Sequence, residues 1–426
     1  MNSAPDGELD TDGAFFVAAF SAENRNDPYP LYRRMREMSP FMPTDIELHL
    51  AFGHEECWSV LRNPNASSDE RRSATYRRIL ASDPASVSTF QLRRMLVFMD
   101  PPDHTTLRAI VSHGFTPRRV GQLRKFIEVT SAQLLSDLAE AVAPDSIDLI
   151  DAFAYPLPIA VICEMLGVPV ADQHRFHSWS RAVTKSIDPG VLRSPEDDML
   201  IEAAMGELQM YMRALLEERT AHPRDDMLSD ILTAHSAMLT TSTPATTGDI
   251  DLDVIVDLVI LLLIAGHETT VNLIGNGMAA LFEHPNQMQL WRDNPSIAMT
   301  AIEELLRFDS PLQMVARVAT TEIDVCGNRL AEGDQIIVLL GAANRDPRVF
   351  DEPDRLDLRR ANAARHVSFG GGIHHCLGAA LARTEGAIAI TQLLQRFPKL
   401  AAAGEFPIRN TFTLRGREHL PVSLHG

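Results

Sequence analysis

Residues 369–378 read F-G-G-G-I-H-H-C-L-G, and this stretch decides the fold. Three glycines precede Cys376, and a helical pattern over about residues 377–397 follows it. Glycine lets a backbone approach a flat object closely. The positive end of a helix favours thiolate over thiol, and a thiolate binds metals. A free cysteine is more often a buried core residue, but this spacing of glycine, histidine and cysteine favours a metal ligand.

Composition limits the remaining function classes. The chain has 426 residues, of which 45% are hydrophobic and 23% charged, as in ordinary globular proteins. Its formal net charge of −18 argues against general nucleic-acid binding and against a polybasic membrane anchor. The four cysteines form no C-x-x-C pair, which is typical of a reducing compartment. Because the N-terminus is acidic and the apolar stretch 258–265 is too short to cross a bilayer, we expect a cytoplasmic protein.

The patterns along the chain predict a mainly α fold with small β-sheets. We expect a long helix at about 253–283, another at 295–308 and short strands at 314–340. We expect a long loop with fragments of helix at 63–95 and further loops at 235–249 and 341–375. Strands do not alternate with helices, which excludes a doubly wound or barrel fold. No linker divides the chain, so we expect one domain over residues 1–426, with residues 1–25 as a loose tail.

A second polar stretch interrupts the long apolar helix: A-G-H-E-T-T, residues 265–270. Ala265 and Gly266 are small and leave space beside the helix. Glu268 and Thr269 need partners in an apolar core. A threonine hydroxyl can bond back to a carbonyl and bend the helix, and an adjacent acid and alcohol can relay protons. The alternative is a polar patch that neighbouring helices satisfy.

These two stretches resemble the haem-binding loop F-G-x-G-x-H-x-C-x-G and the oxygen-binding groove A-G-x-[DE]-T of the cytochrome P450 family. The resemblance implies a haem-thiolate fold, haem b as cofactor and Cys376 as the proximal ligand of iron. It also implies that Glu268 and Thr269, rather than Thr270, deliver protons to iron-bound dioxygen. The other haem contacts that it implies are Ala265, Phe369, Gly370 and Gly378, and, for the propionates, His104, Arg108, Arg317 and His374.

A third match is structural. The stretch E-E-L-L-R places Glu304 and Arg307 on one helix face. The family locks such a pair with an arginine from a later loop, and Arg355 stands at the matching place. Leu356 follows it, where the family often has phenylalanine.

The resemblance implies a monooxygenase that inserts one oxygen atom of O2 into a small apolar substrate of the lipid, terpenoid, steroid or polyketide class. Residues from the loop 75–100, Ile264 and residues 311–315 would line the pocket. Because the chain has no nucleotide fingerprint and no iron–sulfur cysteine set, ferredoxin and ferredoxin reductase must be separate proteins. We expect a monomer that binds ferredoxin near Cys376 through Arg359, Arg360 and Arg365. The alternatives are a peroxide-dependent or isomerising haem-thiolate enzyme and a non-catalytic haem-binding sensor.

Overall fold

The computed structural model describes residues 22–43, 48–82, 95–140, 146–188, 193–241 and 250–425. Helices dominate this part of the chain. They are α1 (Ala22–Asn26), α2 (Tyr29–Met38), α3 (His54–Arg62), α4 (Ala74–Ser82), α5 (Asp103–Ser112), α6 (Pro117–Glu140), α7 (Pro156–Leu166), α8 (Phe176–Lys185), α9 (Pro195–Ala221), α10 (Met227–Thr241), α11 (Leu252–Glu283), α12 (Pro285–Asp293), α13 (Ala298–Phe308), α14 (Leu340–Ala343) and α15 (Ala379–Arg396).

The strands are short and form small sheets. They are β1 (Phe41–Met42), β2 (Leu48–Ala51), β3 (Ala66–Ser67), β4 (Ile147–Asp148), β5 (Met314–Ala319), β6 (Ile323–Val325), β7 (Asn328–Leu330), β8 (Gln335–Leu339), β9 (Ala401–Ala402) and β10 (Pro421–Ser423). The sheets have the strand orders β1-β2-β8-β5-β3, β4-β10-β9 and β6-β7. Strands β2 and β8 are parallel, whereas the other pairs are antiparallel. The predicted mainly α class with small sheets is confirmed.

Helix α11 is the central element of the core. The Asp251 side chain caps its N-terminus by accepting the Val254 N–H at 3.0 Å, and Pro285 opens the next helix. The helix is apolar on nearly all sides, which is typical of a helix surrounded by protein. It is long and apolar enough to cross a membrane, but 78% of its most apolar window is buried inside the protein. The polar stretch 265–270 therefore lies in the middle of the molecule.

Three sequence predictions need correction or limits. Helix α1 lies partly within the predicted loose tail, and residues 1–21 are outside the described part. Helix α10 continues to Thr241 into the predicted loop 235–249, of which residues 242–249 are not described. The predicted loop 63–95 contains the short helix α4, in agreement with the helical fragments expected there, and also the unexpected strand β3; its residues 83–94 are not described. Helices α11 and α15 begin and end within two residues of their predicted bounds.

Candidate haem site

The loop before α15 is shaped by glycines in left-handed conformations. Gly370 has φ +66° and Gly372 has φ +63°, which other residues adopt only with strain. A Cβ on Gly372 would lie 2.5 Å from the Leu61 carbonyl oxygen, so no side chain fits there. The Cys376 N–H donates to the Phe369 carbonyl at 2.9 Å and closes the loop. The sequence F-G-G-G therefore builds one defined turn that ends at Cys376.

Cys376 stands just before the helix rather than in it. Helix α15 begins at Ala379 with Gly378 as its N-cap, three residues after the cysteine. Cys376 is an exposed residue as a whole, but its thiol is set among many protein atoms. This burial raises the pKa of the Cys376 thiol, and the Gly378 N–H, Arg108 and Arg383 oppose it only in part. Burial therefore opposes the predicted thiolate, whereas a bound metal ion would favour it, because a metal deprotonates a coordinating thiol.

Four basic residues gather beside this loop. The rings of His104 and His374 lie 4.4 Å apart. Both ring nitrogens of His104 and Nε2 of His374 are buried without a hydrogen-bond partner in the described part of the chain. Burial, with the nearby charge of Arg317, lowers the pKa of His374 to about 3. Buried and unpartnered donors of this kind are suited to anions such as carboxylates.

The two arginines of this cluster have different surroundings. Arg317, on β5, is buried, and its guanidinium donates to the Ala316 carbonyl at 2.7 Å. This burial lowers the pKa of Arg317 to about 10. Arg108 donates to the His375 carbonyl at 2.7 Å, and its charge acts on Cys376. Arg108 therefore connects the basic cluster with the cysteine loop. The structure thus brings together five of the predicted residues: His104, Arg108, Arg317, His374 and Cys376.

The face of α11 that carries Ala265 and Thr269 is not closely covered by other elements of the described chain. Ala265 is exposed and Thr269 is half-buried, although Ile264 and Thr270 beside them are buried. Residues four apart lie on one face of a helix. The Thr269 hydroxyl donates to the Ala265 carbonyl at 2.9 Å, as predicted for a bent helix. The predicted space does not extend to Gly266, because Ile162 Cδ1 would lie 2.7 Å from a Cβ there.

Glu268 is fully buried and paired with an arginine that sequence reasoning missed. Arg409 Nη1 donates to Glu268 Oε2 at 2.8 Å. Burial by itself would raise the pKa of Glu268. The combined effect of His267 and Arg409 is larger and lowers this pKa to about 2. Glu268 is therefore a carboxylate anion at neutral pH. Arg409 follows Glu268 by 141 residues, and the only signal for such a partner was that a buried acid needs a cation.

The predicted arginine lock exists with a different third member. Arg307 forms a bidentate pair with Glu304, at 2.7 and 2.8 Å. The third residue is Arg360, whose Nε donates to Glu304 at 3.1 Å. The prediction of Arg355 was wrong, because its exposed side chain pairs with Glu352. Arg360 is therefore also unsuitable for the predicted docking patch, since its side chain is only 9% exposed.

The chain is similar to known proteins over most of its length. The family model for cytochrome P450 matches residues 71–294 and 296–411. The vitamin D(3) 25-hydroxylase of Pseudonocardia autotrophica is 37% identical over 98% of both chains. Ligand-free CYP164A2 of Mycobacterium smegmatis is 36% identical, with a TM-score of 0.85 over 96% of this chain and 99% of that one. P450BioI, solved with an acyl carrier protein ligated to hexadec-9Z-enoic acid, is 35% identical, with a TM-score of 0.83 over 95% of this chain and 100% of that one. The chain belongs to the cytochrome P450 family of monooxygenases, whose members bind haem b through a cysteine thiolate.

Proposed function

We propose that this chain inserts one oxygen atom of O2 into a small apolar organic substrate and receives its electrons from a separate ferredoxin and ferredoxin reductase. The observation that carries the proposal is the junction at Arg108, which contacts the cysteine loop and belongs to the basic cluster. A flat molecule with a metal at its centre and two carboxylates at its edge would bind the cysteine through its metal and the basic cluster through its carboxylates. Haem b has this shape and chemistry.

Each predicted haem contact has a role that its surroundings support. Cys376 would be the iron ligand, and the turn through Gly370 and Gly378 would bring the backbone close to the porphyrin. His104, Arg108, Arg317 and His374 would bind the propionates, since their unpartnered donors suit carboxylates. Phe369 would pack against the porphyrin, because Arg383 lies over its ring at 4.4 Å and holds it in place. Ala265 would border the opposite side.

Glu268 and Thr269 would supply the protons of the reaction. Bound haem activates dioxygen, and each turnover consumes two electrons and two protons and releases one water molecule. Thr269 is half-buried beside exposed Ala265, and the neighbouring Glu268 is a buried carboxylate through which protons would pass. We expect Glu268→Gln to divert reducing equivalents into hydrogen peroxide, measured as product formed per NADH consumed. Unchanged coupling in this variant would remove Glu268 from the mechanism.

The substrate class remains lipid, terpenoid, steroid or polyketide. The printed names of two relatives include vitamin D(3) and hexadec-9Z-enoic acid, both largely hydrocarbon compounds. The segment that leads into β5 and the start of that strand carry the apolar side chains Leu312, Met314 and Val315, and Leu312 joins the C-terminal loop through its bridge to Leu414. Titrating such compounds and following the haem Soret band should identify the class, because only compounds that bind beside the haem would shift the band.

The ferredoxin would bind on the face that carries the cysteine loop. Ile373 is 52% exposed there, and Trp58 beside Gly371 is 39% exposed. Arg359 and Arg365 are exposed nearby in sequence, and Arg62 lies 5.4 Å from the Trp58 ring. An apolar centre with a basic rim suits an acidic partner.

Reversing one charge of this rim tests the docking proposal. We expect Arg365→Glu to slow reduction by ferredoxin several-fold at low salt, because exposed charges steer association, and less at high salt because ions screen them. Stopped-flow reduction rates at two salt concentrations measure this. Arg355→Glu is the matched control, since Arg355 is exposed but already paired with Glu352. Equal, salt-independent rates for the Arg365 variant and the wild type would contradict the proposal.

The alternatives have distinct outcomes. A peroxide-dependent or isomerising enzyme would turn over without ferredoxin and O2. Such an enzyme has no need for an acid and an alcohol side by side, as Glu268 and Thr269 are here. A sensor would bind haem and ligands without substrate-dependent consumption of NADH. We also propose a cytoplasmic monomer, for which size-exclusion chromatography should give a mass near 47.1 kDa.

A further inference from the structure

His267, between Gly266 and Glu268, is a completely buried histidine to which the reaction described above assigns no role. Its Nδ1 lies 2.6 Å from the Leu263 carbonyl oxygen. Since a carbonyl oxygen only accepts, Nδ1 must carry a hydrogen and donate it. The other nitrogen, Nε2, is buried without a hydrogen-bond partner among the described residues. In the neutral ring this Nε2 therefore presents a lone pair.

The lone pair of Nε2 faces an oxygen that also lacks a donor. Nε2 lies 3.4 Å from Glu268 Oε1, and Oε1 has no hydrogen-bond partner in the described part of the chain. Two acceptors do not attract each other at this distance, and His267 lowers the pKa of Glu268 only when Nε2 carries a proton, which then lies beside Glu268 Oε1. Arg409 occupies only the other oxygen, Oε2. Glu268 thus has one oxygen fixed by Arg409 and one free to take a proton from the His267 side.

Further polar groups continue from His267 toward the surface. The Tyr155 ring lies 5.6 Å from the His267 ring, and its hydroxyl is buried without a hydrogen-bond partner of good geometry. The Tyr155 ring in turn lies 4.4 Å from the ring of His177, which is half-buried on α8. Burial lowers the pKa of His177, whereas the charges of exposed Asp151 and buried Glu268 both raise it. The charges of exposed Asp151 and of buried Glu268 therefore both act on His177. The charges of Arg181 and Arg409 also act on it, and they lower its pKa.

We propose that His267 Nε2 is the station that takes protons from the surface, by way of His177 and Tyr155, and passes them to Glu268 Oε1. Ordered water would bridge the gaps between these groups, because Tyr155, His267 and Glu268 each have an unpartnered polar atom among the described residues. For every proton that enters at His177, one leaves Glu268 toward Thr269. Only N–H and O–H bonds are exchanged, and no electron moves along this route. The inference rests on the proposed role of Glu268, and His267 acts through that residue.

A coupling measurement with a matched histidine tests this route. Proton transfer by a positioned side chain contributes about 100-fold or more, so with some leakage through water we expect His267→Phe to lower product per NADH by about tenfold and to release hydrogen peroxide. His284→Phe is the control, because His284 makes the same Nδ1 contact, at 2.8 Å, with the Ala280 carbonyl at the other end of α11. Its coupling should equal that of the wild type. Tyr155→Phe should fall between the two.

Turnover driven by hydrogen peroxide separates proton supply from structural damage. Peroxide brings its own two protons, so His267→Phe should keep a peroxide-driven rate within about twofold of the wild type. An equal loss in both assays would show a structural role and would overturn the inference. If Glu268→Gln uncouples the enzyme while His267→Phe does not, this inference fails and the proposed role of Glu268 stands. If Glu268→Gln stays fully coupled, the proposed role itself fails.

Nitrogen NMR of the ferrous, carbon monoxide-bound holoenzyme gives a readout that is independent of turnover. With [15N]histidine, the His267 signals are assigned as those missing from His267→Phe. We expect Nδ1 to remain protonated throughout a pH titration and Nε2 to gain and lose the titrating proton. A neutral ring with its hydrogen on Nε2 would overturn the inference, because Nε2 would then be a permanent donor to Glu268 and could not accept a proton.

Discussion

At the scale of single residues, the buried carboxylates of the core behave in opposite ways. Glu268 has Arg409 as a partner, and its pKa is lowered to about 2 despite burial. Glu385 on α15 is equally buried, but its Oε2 has no partner in the described residues, and burial raises its pKa well above the ordinary value. Neither state could be predicted from the sequence, because a carboxylate's partner is set by packing between distant segments.

Removing the partner of Glu268 should destabilise the protein strongly. Arg409→Leu leaves a buried carboxylate without its counter-ion, which typically costs about 3–5 kcal/mol. Urea unfolding of the holoenzyme measures this loss. The double variant Glu268→Gln with Arg409→Leu is the control, and it should lose less than the single variant because no unpaired charge remains. A double variant that is less stable than Arg409→Leu would contradict the ion-pair interpretation.

Glu385→Gln should stabilise the protein, and more so as the pH rises. Below the ordinary pKa of glutamate, the carboxyl is neutral in both the folded and the unfolded protein and contributes no pH dependence. As the pH rises further, the unfolded chain ionises while buried Glu385 stays protonated, which costs up to about 1.4 kcal/mol per pH unit. Unfolding free energies at about pH 5 and pH 7 should therefore differ increasingly in favour of the variant. A difference that is constant with pH would contradict the raised pKa of Glu385.

At the scale of elements, the arginine lock joins α13 to the loop that follows α14. Arg307 donates to the carbonyls of Asn344, Pro353 and Arg355 as well as to Glu304. The pair on α13 follows from the helical spacing of the sequence, whereas the third residue does not. Arg355 and Arg360 both stand in an irregular loop, where no period indicates which side chain turns inward. The loop's own fold decides in favour of Arg360.

Substitutions of the two loop arginines, Arg360 and Arg355, should have clearly different effects on stability. Arg360 donates to the buried Glu304 carboxylate and to the exposed carbonyls of Asp351, Glu352 and Arg355, so Arg360→Met removes one partner of a buried charge. Loss of a partner at a buried acceptor costs about 1–3 kcal/mol, and we expect a lower melting temperature and loss of haem. Arg355→Met, the matched control, removes an exposed pair and should change stability by less than about 0.5 kcal/mol. An equal loss of stability in the two variants would contradict the assignment of Arg360, rather than Arg355, as the third member of the arginine lock.

At the scale of the whole molecule, the long elements and the linear motifs could be predicted from the sequence. Helix α11 is specified by its continuous apolar character. The turn before α15 is specified by glycines, because two of its positions have the positive φ that glycine adopts without strain. The basic cluster could be predicted only through the family resemblance, since His104, Arg317 and His374 come from three distant segments. The network around His267 was missed, because a buried histidine in an apolar helix has no distinguishing pattern.

The carbon monoxide difference spectrum tests most directly the central claim that Cys376 binds haem iron as a thiolate. The reduced wild-type protein with carbon monoxide should give the red-shifted Soret band of a thiolate ligand. Cys376→Ala should lose this band, while Cys326→Ala, which removes the other exposed cysteine among the described residues, should keep it. A thiolate band that persists in Cys376→Ala, or that is absent from the haem-loaded wild type, would contradict the account.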